Sequence, residues 1–383
     1  MPDRNPFRFG DLALDDAFTD RAAELHELEA DIANGQNVVI FAPRRYGKSS
    51  LVRRAIEELV QRQGALVAEV DLMKAATKEQ LAAKLAASVY EEIATPLLRV
   101  RERAAQVFRG LRIRPLMTVD PGTGSLGFSF TAGYAAADLD ATLEGLLRLP
   151  GELASGRGKP VALVLDEFQE VLDLDPHLPA LMRAVFQSQP DVAHVYLGSK
   201  RSMMERLFND ENEPFWRSAK QLELGVIAPA AFAPFIRERF ETTGRSIEER
   251  AVEQVLATTG GHPYATQELC YALWEMVPPG GGAGEEDVGG ALAAVLRSEN
   301  AHFTRIWDML PKTQRRVLQA LASEPLQRVS SDAFRSRHGL PPSSSIYKAL
   351  ERLTDDELVA RAAPGRYRIA EPFLAEWIIR FAR

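Results

Sequence analysis

The sequence has little cysteine, little histidine and no long apolar run, and each absence excludes a class of protein. Cys270 is the one cysteine among 383 residues, so an internal disulfide is excluded, and with six histidines and no partner thiol a zinc site is not expected. We expect Cys270 to pack as a small apolar side chain in a helix. No stretch approaches the ~18 uninterrupted apolar residues of a membrane span, and Met1–Asn5 has no apolar centre of a signal peptide. The sequence therefore predicts a cytoplasmic protein with no membrane partner.

The charge is acidic overall but unevenly distributed. The formal net charge is −7, yet residues 311–383 carry 13 Lys and Arg against 8 Asp and Glu, so this segment has a net charge of +5 and the rest −12. A basic segment suits an acidic partner such as nucleic acid, although a surplus of this size is also common on surfaces that bind nothing. The length and the 46% hydrophobic content predict two or three domains.

The most informative segment is an apolar strand that leads into a loop ending Gly-Lys-Ser and then into a helix. In this order the backbone N–H groups of the loop and of the helix N-terminus point at one spot, which suits a triphosphate. Lys48 would reach the β- and γ-phosphates, and the hydroxyl of Ser49 would bind Mg²⁺. The sequence therefore predicts that the chain binds ATP or GTP. The nucleotide-binding residues predicted in this loop are Pro43, Arg44, Arg45, Tyr46, Gly47, Lys48, Ser49 and Ser50.

One position of the loop departs from the usual spacing, which has a glycine six residues before the lysine. That position is Ala42. If the backbone there needs a positive φ, alanine costs on the order of 1 kcal/mol. The alternative interpretation of the whole segment is a surface turn that contains Gly-Lys-Ser, but strand, loop and helix all occur in the required order.

Strands alternate with helices in the first part of the chain, which predicts a doubly wound parallel sheet with helices on both faces. A fully apolar strand such as 160–165 is typical of the centre of a parallel sheet. The pattern changes between residues 111 and 133, where a β-hairpin is predicted as an insertion. Besides the strand that precedes the Gly-Lys-Ser loop, strands are predicted at 65–70, 160–165, 192–199 and 219–224.

Beyond residue 229 the pattern predicts helices only, with a flexible break at 278–284. The last seventy residues then predict three helices followed by a two-stranded wing, which is a winged helix. We therefore predict three domains: an ATPase domain at 1–228, a helical adaptor at 229–308 and a winged helix at 309–383. The predicted helices are 232–242, 247–259, 263–277, 285–303, 312–322, 331–337 and 342–353, and the wing strands are 358–361 and 366–369.

Two carboxylates end the apolar strand at 160–165. Asp166 can hold Mg²⁺, directly or through water, and Glu167 can polarise a water for in-line attack on the γ-phosphorus. Together with Lys48 they predict hydrolysis. The alternative is that the carboxylates cap the helix that follows, because acidic residues favour helix starts.

Polar residues also follow the next strand. Ser199 occupies a place where a side chain could sense the γ-phosphate, although a serine at a strand end is often only a cap. Arg201 or Arg217 could stabilise negative charge in the transition state as an arginine finger. Most surface arginines, however, are only solvated.

These motifs together resemble a prokaryotic group of signal-transducing P-loop ATPases, the archaeal-type ATPase family, which has relatives among the NACHT and NB-ARC switches and the origin-recognition AAA+ proteins. The resemblance covers most of the chain. The matching segments are 5–10, 18–21, 43–51, 165–168, 198–201, 214–218 and Gly260-Gly261-His262-Pro263-Tyr264.

The resemblance implies a nucleotide between the α/β domain and the helical adaptor. It places Pro263 at the base or ribose and Asp20 and Arg21 near the adenine, and it implies a winged helix whose docking differs between ADP and ATP states. From the residues alone, Gly260–Pro263 could equally be a loop between helices.

Three functions are considered, of which an adaptor that is stabilised by nucleotide and never hydrolyses it is the weakest because Glu167 is present. The first is an ATP-hydrolysing molecular switch whose winged helix docks on a protein. The alternative is an ATP-regulated DNA-binding protein of the replication-initiator or mobile-element type, with the hydroxyls and lysine of 343–348 and the arginines Arg361, Arg366 and Arg368 on double-stranded DNA. Acidic residues at 355–357 beside that helix argue against the alternative. The oligomeric state is left open.

Overall fold

The computed structural model describes residues 4–10, 19–89, 115–119, 126–130, 136–154 and 158–382. The chain forms two compact units. The first, called the sheet unit here, comprises Arg21–Ala42 and Leu51–Leu224. The second, called the helical unit, comprises Met1–Asp20, Gly225–Arg383 and also Pro43–Ser50, the loop that ends Gly-Lys-Ser.

The sheet unit is built on five parallel strands in the order β2, β5, β6, β1, β7. This confirms the predicted α/β class. β1 and β6 are buried at every position and β5 at all but its last, as expected for strands covered on both faces. The strands are β1 (Val38–Phe41), β2 (Leu66–Asp71), β5 (Val161–Asp166), β6 (Val192–Gly198) and β7 (Lys220–Glu223).

The register brings three strand ends to one edge of this sheet. Phe41, the last residue of β1, lies beside Gly198, the last residue of β6, and Leu165 near the end of β5 lies beside Tyr196. The loop that ends Gly-Lys-Ser begins after Phe41, Asp166 is the last residue of β5, and Ser199 follows β6. The parallel topology therefore places Asp166 and Ser199 at the carboxyl edge of the sheet.

Helices connect the strands, and a separate hairpin is present where an insertion is predicted. β3 (Pro115–Val119) and β4 (Leu126–Phe130) pair antiparallel. Their turn, and the part of the predicted helical region between residues 90 and 110, lie outside the described residues. The helices of this unit are α1 (Ala22–Ala33), α2 (Lys48–Gln63), which starts in the loop, α3 (Lys78–Ser88), α4 (Ala136–Ala154), α5 (Val171–Leu174), α6 (Leu178–Phe186) and α7 (Arg201–Asn209).

The helical unit contains the predicted helices and a winged helix. One buried core continues from its first helices into the winged helix, and Cys270 is buried in that core as predicted. The helices are α8 (Pro229–Glu241), α9 (Glu249–Thr259), α10 (Pro263–Met276), α11 (Glu285–Ser298), α12 (Asn300–Met309), α13 (Lys312–Ser323), α14 (Asp332–Arg337), α15 (Ser343–Asp355) and α16 (Pro372–Phe381), and the wing strands are β10 (Val359–Ala363) and β11 (Arg366–Ile369).

Two predictions for this unit are wrong in detail, and one helix was not predicted. The single helix predicted at 285–303 is two helices, which meet at Glu299. The predicted flexible break contains β9 (Gly282–Ala283), which pairs in parallel with β8 (Ser246–Ile247) and buries Ala283. A final helix, α16, follows the wing and buries four large apolar side chains in the common core. Among the described residues, no helix is long and apolar enough to span a membrane.

Candidate functional site

The loop from Pro43 to Ser50, called the phosphate loop here, joins β1 to α2. Among its described residues a positive φ occurs at Arg45 (66°) and Gly47 (85°), whereas Ala42 before it has none. The expected strain at Ala42 is therefore absent, because the turn takes its left-handed residues three and five positions later. Lys48 opens α2 with its side chain only 7% exposed.

Asp166 and Glu167 lie at the end of β5 as predicted. Oδ1 of Asp166 accepts a hydrogen bond of 2.9 Å from the backbone N–H of Glu167. Glu167 has φ 51°, a left-handed conformation that non-glycine residues adopt rarely. Although Glu167 precedes a short 3₁₀ helix, its side chain makes no capping hydrogen bond there. Glu167 therefore occupies the N-cap position of this 3₁₀ helix without a capping hydrogen bond from its side chain, and its role as the base stays a prediction.

The carboxylate of Glu167 is instead bound by side chains. Ser199 Oγ donates to Oε2 of Glu167 at 2.8 Å, and Gln169 Nε2 donates to the same oxygen at 2.6 Å. Ser199 is buried and follows β6, so two neighbouring strand ends supply this contact. Ser199 was among the residues predicted from the sequence and Gln169 was not, although an amide two residues after paired carboxylates is a usable signal.

The two candidate arginine fingers are placed in different surroundings. Arg201 donates to Glu205 at 2.7 Å and also pairs with Glu223. Desolvation lowers the pKa of Arg201, but the hydrogen bonds and charges of these two carboxylates outweigh it, so the pKa is raised. Arg217 has φ 49° and lies over the ring of Trp216 at 5.4 Å. A finger role for either residue stays a prediction.

Two arginines of the phosphate loop form ion pairs inside the helical unit. Nε of Arg44 lies 3.0 Å from Oε2 of Glu357, which precedes β10. Nη1 of Arg45 lies 3.2 Å from Oε2 of Glu371, which precedes α16. The guanidinium of Arg45 also lies over the ring of Tyr264, 4.3 Å from its centre. Both acidic partners belong to the winged helix.

Tyr46, the next residue of the loop, makes two further contacts in the same unit. Its hydroxyl accepts a hydrogen bond of 3.2 Å from Nη2 of Arg368 on β11. Its ring packs edge to face against His262, with 4.6 Å between ring centres. Three consecutive loop residues thus contact the winged helix, and this arrangement was not predicted from the sequence.

The Gly260–Pro263 segment forms a specific turn in this structure. Gly261 has φ 71°, its carbonyl accepts from the N–H of Ile227 at 2.9 Å, and an added Cβ would collide with the carbonyl oxygen of Ile227. His262 then caps α10, since its Nδ1 accepts from the N–H of Ala265 at 3.3 Å, and Pro263 is the first helical residue. The turn therefore fixes His262 against Tyr46.

Titratable groups around Arg45 have shifted pKa values. Burial and the charges of Glu299 and Glu371 raise the pKa of Glu268 to about 8, while Arg45 opposes the rise. Burial likewise raises the pKa of Glu371. Burial, followed by the charges of Arg368 and Arg45, lowers the pKa of His262 to about 3. Arg45 thus supplies positive charge to a group of largely buried carboxylates.

The predicted adenine-side residues lie at the start of α1. Asp20 and Arg21 both have positive φ, 55° and 72°, and Nη1 of Arg21 donates to Glu24 at 3.0 Å. Their contact with a nucleotide, like that of Pro263, stays a prediction. Phe18, which begins the same motif, lies outside the described residues.

The two residues predicted to bind Mg²⁺ each carry a ligand type that suits this ion. Asp166 offers carboxylate oxygens and Ser49 a hydroxyl, which are the hard ligands this ion prefers. Within the described residues, no group of three His, Cys, Asp or Glu side chains could hold a metal ion by themselves. Phosphate oxygens would therefore have to complete the coordination.

Two protein-family models match the chain. Residues 18–269 match a model described as an ATPase domain predominantly from Archaea. Residues 301–380 match a probable winged helix domain. The comparison thus confirms the predicted winged helix at the C-terminal end, and a search of curated proteins found no significant match.

Solved structures show the same fold over almost the whole chain. A Walker-type ATPase of Pyrococcus abyssi is 17% identical, with 96% of this chain and 97% of the other covered and a TM-score of 0.65. The ORC2 protein of Aeropyrum pernix, solved as ADPNP-ADP complexes, is 14% identical, with coverages of 99% and 97% and a TM-score of 0.55. The ORC1 protein of that organism, solved in complex with DNA, is 15% identical, with coverages of 94% and 92% and a TM-score of 0.50.

Proposed function

Because this chain belongs to the family of ATPase domains found predominantly in Archaea and is an ATP-hydrolysing enzyme, we propose that it is a molecular switch in which the state of the phosphate loop controls the docking of the winged helix. The observation that carries the proposal is the set of contacts from Arg44, Arg45 and Tyr46 to the winged helix. A narrower place for the chain among the NACHT and NB-ARC switches stays a prediction.

Hydrolysis would use the residues identified at the strand ends. The N–H groups of the phosphate loop and the ammonium of Lys48 would bind the β- and γ-phosphates. Glu167 would accept a proton from water while the water oxygen attacks the γ-phosphorus and the bond to the bridging oxygen breaks, which releases ADP and phosphate. Ser199 would report on this step through its hydrogen bond to Glu167.

Ser49 and Asp166 would hold Mg²⁺ together with the nucleotide. The ion would supply charge neutralisation at the phosphate oxygens. Pro263, Asp20 and Arg21 would contact the nucleoside, as the family resemblance implies.

The coupling to the winged helix follows from competition for the loop arginines. A bound triphosphate places several negative charges beside a loop whose Arg44 and Arg45 are paired with Glu357 and Glu371. Phosphate oxygens and these carboxylates attract the same guanidinium groups. The winged helix would therefore bind the phosphate loop most tightly when the loop is empty or binds ADP. It would bind less tightly when ATP competes for Arg44 and Arg45.

Hydrogen exchange provides the test. Amides of β10, β11 and the first turn of α16 should exchange faster with a non-hydrolysable ATP analogue than with ADP, and Arg45→Ala should show fast exchange in both states. Arg337→Ala is the matched control, because Arg337 pairs with Glu324 inside the same winged helix and contacts no loop residue. Equal exchange with both nucleotides in the wild-type protein would refute the coupling.

A second function, DNA binding by the winged helix, is favoured by the exposed Tyr347 and Lys348 on α15 and by the exposed Arg361 on β10. The other wing arginines are engaged within the protein, Arg366 with the carbonyl of Leu326 and Arg368 with Tyr46. Fluorescence anisotropy with duplex DNA at about 50 mM salt, where phosphate contacts are strongest, separates the two functions. Binding that Lys348→Ala and Arg361→Ala weaken would establish the second function.

A further inference from the structure

The side chain of Gln169 bridges two carboxylates at the end of β5. It lies in the 3₁₀ helix Phe168–Glu170 with no exposed surface (0%). Its Nε2 donates to Oε2 of Glu167 at 2.6 Å and to Oε1 of Glu170 at 3.3 Å. A single amide group therefore connects Glu167 to its neighbour on the same helix.

Both ends of this bridge are anchored. Glu170 is held by Lys200, whose Nζ lies 3.0 Å from Oε1 of Glu170. Glu167 also accepts from Ser199 at 2.8 Å. Because Ser199 and Lys200 both follow β6, the neighbouring strand fixes the two carboxylates that Gln169 joins. Two neutral donors, the amide of Gln169 and the hydroxyl of Ser199, thus contact the Glu167 carboxylate.

The glutamine itself is poorly explained by packing. Its Oε1 is buried and has no hydrogen-bond partner in the part of the chain that the structure describes. A buried acceptor without a partner costs stability, so an apolar side chain of similar shape would serve packing better. The absence of a side chain at Gly198 leaves room for this amide and for Met204, because a Cβ there would lie 2.7 Å from Oε1 of Gln169 and even closer to Sδ of Met204.

We propose that Gln169 is a positioning residue for ATP hydrolysis. Its amide donates a hydrogen bond to the Glu167 carboxylate and holds it in the orientation in which this carboxylate can accept a proton from the attacking water. The inference rests on the proposed role of Glu167 as the base and does not depend on winged-helix docking. It assigns to Gln169 an effect on turnover and none on nucleotide affinity.

Steady-state kinetics of the full chain test the assignment with three variants. Gln169→Met keeps the length of the side chain but cannot donate, and kcat should fall about ten- to hundredfold while KM changes less than about twofold. The kcat of Gln169→Glu should be low at about pH 8.5, where the new carboxylate and that of Glu167 repel each other. It should recover towards about pH 5.5, where the new carboxyl can be protonated and donate a hydrogen bond to Glu167. Gln169→Leu, which also cannot donate a hydrogen bond, should lower kcat as Gln169→Met does.

Gln189→Met is the matched control. Gln189 is also a buried glutamine of the sheet unit, but its amide binds the carbonyl of Leu147 and the ring of His194 and no site residue. This variant should lower the Tm without lowering kcat. A kcat of Gln169→Met that stays at the wild-type value overturns the proposal, and so does a Gln169→Glu profile that keeps the wild-type pH dependence. If Glu167→Gln itself retains turnover, Glu167 is not the base, and the proposed function of Glu167 is wrong together with the role of Gln169.

Discussion

Arg45 of the phosphate loop donates to Glu371, 326 residues later in the chain, at 3.2 Å. Arg45 has φ 66° and Glu371 immediately precedes the last helix, so the pair connects a left-handed turn of the loop to the N-terminus of α16. The same guanidinium lies over Tyr264 and partly offsets the burial that raises the pKa of the neighbouring Glu268. A change in the loop therefore alters both an ion pair and the charge balance of a largely buried acidic group.

The first prediction concerns this ion pair. In a double-mutant cycle with Arg45→Ala and Glu371→Gln, thermal unfolding should give a coupling free energy of about 0.5–1 kcal/mol, kept small because the arginine is partly solvated. A cycle with Arg62→Ala and Glu29→Gln, a pair within the sheet unit whose arginine is more exposed (65% against 39% for Arg45), should give less. Additive effects at Arg45 and Glu371 would contradict the linkage.

The second prediction is that Lys48→Ala abolishes nucleotide binding. The variant removes the flexible cation expected to contact the β- and γ-phosphates, and a point charge there has no replacement in the loop backbone. Calorimetry with ATP should show at least about a hundredfold loss of affinity. Lys74→Ala, which removes an exposed lysine paired with Asp71, should bind as the wild type does. Unchanged affinity of Lys48→Ala would refute the phosphate-loop assignment.

The third prediction is that Glu167→Gln binds ATP without hydrolysing it. The substitution keeps the size of the side chain and removes the group that accepts the proton, while Asp166 stays available for the metal. Phosphate release should fall by about a hundredfold or more, and calorimetry should give an unchanged ATP affinity. Glu205→Gln on α7 is a suitable control. Normal turnover would show that another group is the base.

The fourth prediction concerns Glu268, which is 3% exposed and has its pKa raised to about 8. Between the ordinary pKa of 4.5 and about 8 the folded state binds more protons at this group than the unfolded state, so its contribution to stability falls as pH rises through this window. The groups that shift its pKa are Glu299, Glu371 and Arg45.

Glu268→Gln should therefore raise the Tm by roughly 4 °C or more at about pH 8.5 and change it little at about pH 5. Differential scanning fluorimetry across this range is the measurement. Glu253→Gln, at an exposed position on α9, should leave the pH dependence of the wild type in place. A constant Tm difference between Glu268→Gln and the wild type at all pH values would exclude the raised pKa.

Much of the fold followed from the sequence because its signals are local. The apolar runs at 160–165 and 192–199 predicted central strands, since such strands are buried on both faces of a parallel sheet. The order of strand, loop and helix around Lys48 predicted the phosphate loop, because this order is what a phosphate-binding backbone requires. Elements of two residues, such as β8 and β9, were missed because they are too short to show a period.

What the sequence by itself determined is the set of groups that can perform chemistry: Lys48, Ser49, Asp166 and Glu167 at the ends of recognisable elements. Only the tertiary structure decided their partners. The hydroxyl of Ser199 meets Glu167 from the end of a neighbouring strand, and the phosphate loop meets Glu357, Arg368 and Glu371 from the far end of the chain. No local pattern encodes such pairs, because side-chain contacts between distant segments depend on how whole helices and strands pack, not on the spacing of residues along the chain.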